Sequence, residues 1–153
     1  MHLSKSQQLA IENVENYAKE HTLEAKETIQ HVLQMSNISM DTFEKAICTI
    51  KVNARIGLHF HPDRLDSTMK SVAESLLRQG IYKSQFETHI SNGSVSAFIG
   101  GERDLWEKKI FEGAYQLEGT TNNERPKYGA LNLMLHSDGP SPRFGSCYFL
   151  LYP

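Results

Sequence analysis

The chain is poor in cysteine, in one-sided charge and in long apolar runs, and each shortage removes a class of protein. Only two cysteines, Cys48 and Cys147, occur among 153 residues. They form no CxxC and lack the histidine spacing of structural zinc, which excludes a disulfide scaffold and a zinc module of the usual pattern. Flanked by apolar residues, both read as free core thiols of a reducing compartment. The net charge is -2, which leaves no basic footprint for a nucleic-acid partner. No apolar stretch approaches the roughly 18 residues of a membrane span. Residues 1–20 lack the apolar centre of a signal peptide, so a cytoplasmic location is expected. No repeat or low-complexity segment is visible. What remains is an ordinary globular composition, 39% apolar and 22% charged, in a length that suits one domain with a core of its own.

Helices come first. Ser4 to His21 places Ala10, Val14, Tyr17, Ala18 and His21 on one stripe at helical spacing. Thr22 is placed to cap a second helix to about Met35, and Asp41-Thr42-Phe43-Glu44 has the capping-box pattern of a third, to about Val52. These three read as a packing or docking bundle with room for a protein partner. From Arg55 the character changes. Ile56 to His61 reads as a strand and Ser67 to Gln79 as an amphipathic helix ended by Gly80. Tyr82 to Ile90 reads as extended, Ser91-Asn92-Gly93 as a turn, and Val95 to Ile99 as a strand broken by Gly100 and Gly101. Arg103 to Phe111 reads as helix, and Leu117 to Lys127 as a polar loop. Tyr128 to His136 reads as a strand, Ser137 to Pro142 as a turn and Ser146 to Tyr152 as a final strand. This order predicts an α+β fold. An N-terminal helical segment, residues 1–54, joins an α+β module, residues 55–153, with a small mixed, mainly antiparallel sheet, as one compact unit. The apolar run Tyr148 to Tyr152 suits a buried strand, so the module is expected to continue beyond the chain's last residue.

The densest chemistry lies in Leu58-His59-Phe60-His61-Pro62-Asp63-Arg64. On a strand Leu58 and Phe60 point to a core and His59 and His61 to the opposite face, while Pro62 stops the ladder. Three readings stand. His59 and His61 serve a polar pocket without metal; or they chelate zinc or iron with Asp63, His89 or His136; or one is exposed and the other satisfied by backbone. The quartet His61-Pro62-Asp63-Arg64 also imitates a J-domain co-chaperone loop. The strand-like context and a following helix without the required aromatic set argue against that. Ser84, Thr88 and the Ser91-Asn92-Gly93 turn offer hydroxyls and an amide to a ribose or carboxamide. Arg125 and Arg143 are each stiffened by a neighbouring proline, which lowers the entropy cost of aiming a guanidinium at phosphate. Trp106, Phe111 and Tyr115 read as core.

Four stretches together, Leu58 to Arg64, Ser84-Gln85-Phe86-Glu87-Thr88 with Ser91-Asn92-Gly93, Arg125-Pro126-Lys127-Tyr128-Gly129-Ala130-Leu131-Asn132, and Pro142-Arg143-Phe144-Gly145-Ser146, resemble a bacterial family of unknown function. The resemblance spans about Arg55 to Leu151. The family's layout is similar to that of ADP-ribosyltransferases, which split NAD at the nicotinamide bond. That likeness implies an NAD-binding module with NAD as substrate. It assigns His61 to the nicotinamide ribose, with His59 beside it, and Ser84 and Thr88 to the nicotinamide pocket. Arg64, Arg125, Tyr128 and Arg143 then fall near the diphosphate. It also implies a catalytic glutamate beyond Pro153, for which Glu87 and Glu124 are stand-ins within this chain. The rival expectations are a metal-dependent hydrolase using His59, His61 and Asp63, and a non-enzymatic interaction module.

Overall fold

Ser4 caps the first helix through a reciprocal capping box with Gln7, and this fixes α1 at Lys5–Glu20. A computed structural model describes residues 2–66, 68–90 and 97–152. α1 carries the chain's small core. Ala10 packs with Ala114 and Tyr115, bordered by Leu9 and Phe111. Asn13 Nδ2 donates to the Phe111 carbonyl at 2.9 Å, and Gln7 Nε2 to that of Glu124 at 3.2 Å. The first helix is thereby joined to the α+β part.

The next two helices are α2, Thr22–Met35, and α3, Met40–Asn53. Thr22 lies inside α2 and does not cap it; its hydroxyl donates back to the Ala18 carbonyl at 2.7 Å. Ser39, not Asp41, caps α3 by accepting the Thr42 N–H at 3.2 Å. Of the packing or docking bundle expected here, little internal packing is seen among the described residues: α2 buries only Leu33 and α3 buries none. Leu23 is 76% exposed, and Cys48 is exposed rather than core.

The sheet has three antiparallel strands in the order β2-β1-β3, with β1 Ile56–Phe60 in the centre, β2 Ala130–Leu131 and β3 Cys147–Leu151. Tyr148 stands opposite His59, and Phe149 opposite Leu58. The architecture is α+β, as the element order predicts. Four details differ. The long strand expected at Tyr128 to His136 shrinks to two residues; past Leu131 the chain bends at Leu133 and Met134, and Leu135 has φ 52°. The helix expected from Ser67 begins only at Val72: α4, Val72–Gln79, is capped by Ser71 in a box with Glu74, and Met69 has φ 60°. Gly80 ends it at φ 65°. The extended stretch expected at Tyr82 to Ile90 holds a one-turn helix instead, α5, Gln85–Thr88, capped by Ser84. Ala97 to Ile99 leads into α6, Glu102–Ile110, without forming a strand. Ser91-Asn92-Gly93 and Val95 lie outside the described residues.

The burial of β1 reverses the expectation. Gly57 and His59 are its buried positions, while Leu58 and Phe60 are half-buried. The Leu58 side of the sheet, with Phe149 and Leu151 from β3, opens on an apolar groove bounded by α4. Tyr148 to Tyr152 is therefore not a buried strand. The reason is that the turn 137–145 folds over the opposite face and covers the histidine.

Candidate functional site

His59 is held at every polar atom of its ring. Nδ1 donates to the Gly145 carbonyl at 2.8 Å, and Nε2 accepts the Ser141 N–H at 3.1 Å. Its ring stacks on Tyr148, centroids 5.0 Å apart. Gly139, at φ 80°, leaves room for the imidazole, since a Cβ there would come within 2.7 Å of it. With both nitrogens engaged, His59 has no lone pair left for a metal ion. Asp63, His89 and His136 are exposed. Among the described residues no group of three or more His, Cys, Asp or Glu is placed to hold a metal.

Beside His59 lies a cavity of about 470 Å³. Gly57, His59, Phe60 and His61 all line it. His61 makes no side-chain hydrogen bond among the described residues. Thr88, Tyr128 and Ser84 also line the cavity, as do Lys83, Glu87 and Asp66. Tyr82, Trp106 and Phe144 supply aromatic wall. Trp106 is 57% exposed, so the expectation of a core tryptophan does not hold, whereas Tyr115 is buried.

Local structure explains several of these positions. The Ser84 hydroxyl accepts the Glu87 N–H at 3.3 Å and donates to the Asn122 carbonyl at 2.7 Å. Glu87 Oε2 in return accepts the Ser84 N–H at 2.7 Å, and Oε1 carries no hydrogen bond among the described residues. Thr88 Oγ1 donates to the Ser84 carbonyl at 3.2 Å. The Asp66 carboxylate accepts from the Thr68 hydroxyl and N–H at 2.7 and 2.8 Å. These donors, with the Lys70 N–H, hold its acid below the usual carboxylate range.

Of the four arginine and tyrosine positions near the implied diphosphate, only Tyr128 lines the cavity. Arg125 lies buried beneath the wall. Its Nη1 contacts Asp104 Oδ1 at 2.7 Å and Glu107 Oε2 at 2.8 Å, and its guanidinium covers the Phe86 ring at 4.2 Å. Burial works against the Asp104 anion. The Gly100 N–H, Gln116 and Arg125 outweigh it and leave the acid more easily ionised than usual. Tyr128 donates to Glu107 Oε1 at 2.8 Å; burial, and then this carboxylate, push its phenol strongly upward. Arg64 and Arg143 are exposed and lie outside the cavity wall, Arg143 on a 3₁₀ turn over the Phe144 ring. The wall also carries Arg103, which the sequence left unassigned, and Trp106, which it assigned to the core. Their i, i+3 spacing on α6 was the available signal, since it stacks side chains on one helix face.

No helix among the described residues is long and apolar enough to cross a membrane. No curated protein and no solved structure matches the chain. One family model does, over residues 55–153. These are the β-sheet, the cavity and the whole of its wall, and by that match the chain belongs to the family described as Protein of unknown function (DUF3626).

Proposed function

We propose that the cavity beside β1 binds a nucleotide, with NAD as its ligand, in the manner of an ADP-ribosyltransferase-like transferase. The observation that carries this reading is the convergence of His61, Thr88, Glu87 and Tyr128 on one hollow. Its volume of about 470 Å³ falls in the range of small-molecule sites, roughly 300–1,000 Å³. The flat faces of Tyr82 and Trp106 suit a planar base or nicotinamide ring. The His61 ring nitrogens, without hydrogen bonds among the described residues, suit ribose hydroxyls. Glu87 keeps one carboxylate oxygen without a hydrogen bond among the described residues of the same cavity, where a negative charge favours the positive charge that develops on ribose as the nicotinamide bond breaks. The proposal leaves Ser84 as the residue that presents Glu87 and Thr88, through the cap of α5.

Calorimetry with NAD and ADP-ribose tests the reading. The wild-type chain takes up NAD, and His61→Ala weakens uptake several-fold while the melting temperature stays put, because the His61 side chain makes no hydrogen bond among the described residues. Absence of heat with both ligands overturns it.

A further inference from the structure

Arg103 stands on the first turn of α6 and lines the cavity, yet no motif in the sequence marks it. Its guanidinium lies 5.3 Å from the centre of the Trp106 ring and 5.0 Å from that of Tyr128. Both distances are within cation–π range, so the planar fork is held by aromatic faces. Tyr128 is itself fixed by the hydrogen bond from its hydroxyl to Glu107. Among the described residues no carboxylate forms an ion pair with Arg103. Of the acids on α6, Asp104 and Glu107 are committed to Arg125, and Glu102, the exposed neighbour of Arg103 in the chain, forms no ion pair with it. The Nε–H of Arg103 is buried and has no acceptor among the described residues. A buried donor without a partner is costly, and a cavity wall is where a ligand can supply the missing acceptor.

Charge on the wall favours an anion. Lys83 and Lys127 add two cations to the same wall, with Lys127 Nζ anchored on the Asn123 carbonyl at 2.8 Å. The wall's acids are Asp66 and Glu87, and each already accepts backbone or hydroxyl donors. Guanidinium matches a pair of phosphate oxygens through two parallel N–H donors, which an ammonium cannot do.

We infer that Arg103 is the anion-binding residue of the cavity and takes the diphosphate of the ligand, with Trp106 and Tyr128 aiming it. The organic part of that ligand rests on the nucleotide reading above; the anion site does not.

The test is calorimetry on the full chain with inorganic pyrophosphate and with ADP-ribose, using wild type, Arg103→Gln and Arg103→Lys, each checked for an unchanged melting transition. Wild type is expected to bind both probes. R103Q weakens both by about tenfold or more, as loss of a charge-assisted pair implies. R103K, which keeps the charge without the fork, falls between. Wild type that takes neither probe, or a folded R103Q that binds both as wild type does, overturns the inference. The two readings separate cleanly. Pyrophosphate bound through Arg103 with no uptake of ADP-ribose keeps the anion site and removes the nucleotide. ADP-ribose bound equally by wild type and R103Q does the reverse.

Discussion

Arg125 Nη1 and Glu107 Oε2 meet at 2.8 Å in a side-chain pair that is almost wholly shielded from solvent. Asp104 shares the same nitrogen, and Tyr128 reaches the other oxygen of Glu107. Neither acid is compensated if the guanidinium goes. Arg125→Met is therefore expected to destabilise the chain by about 3–5 kcal/mol, the usual penalty for stranding a buried charge. Urea unfolding of the two proteins measures it. A loss near zero means that the pair is not buried as described.

Ser84 ties α5 to the loop at Asn122. Its replacement by alanine removes the cap of α5 and a donor to the Asn122 carbonyl. The expected cost is about 1–2 kcal/mol, seen as an earlier unfolding midpoint. A direct catalytic role makes a different prediction: unchanged stability with lost turnover.

Glu124 links α1 to the same loop, and hydrogen bonds, chiefly from Ser4 and then from the Thr121 N–H and hydroxyl, lower its carboxyl from the ordinary 4.5 to about 2. A depressed folded-state value means that the unfolded chain takes up the proton first. The contribution to stability is complete above pH 4.5 and disappears as the pH falls towards about 2. Denaturant midpoints measured between pH 7 and pH 2.5 are expected to fall less steeply for Glu124→Gln than for wild type. Parallel profiles contradict the assignment.

Much of this was legible in local patterns. Ser4 with Gln7, and Ser71 with Glu74, are S-x-x-E/Q boxes, and each opens a helix. Ser84 with Glu87 is a third such box, and reading its surroundings as an extended polar segment missed it. Alternation along β1 set Gly57 and His59 apart from Leu58 and Phe60 in burial, and His61 follows just past the end of the strand. Which face is covered was not legible, because Leu58 and Phe60 are the more apolar pair and the turn that covers His59 arrives from more than 80 residues away, with contact from Gly145 at a separation of 86.

The arginines show the same division. Proline neighbours stiffen Arg125 and Arg143, but stiffness carries no direction. Tertiary packing turned Arg125 inward onto Asp104 and Glu107, left Arg143 at the surface, and placed the unmarked Arg103 on the cavity wall. The sequence alone determined the α+β class and local signals such as the glycine that ends α4, since these depend on side chains within a few positions of one another. Only the tertiary structure decided which polar groups share a hollow and which neutralise each other, because charge pairing and burial depend on distance through space, and distant loops set those distances.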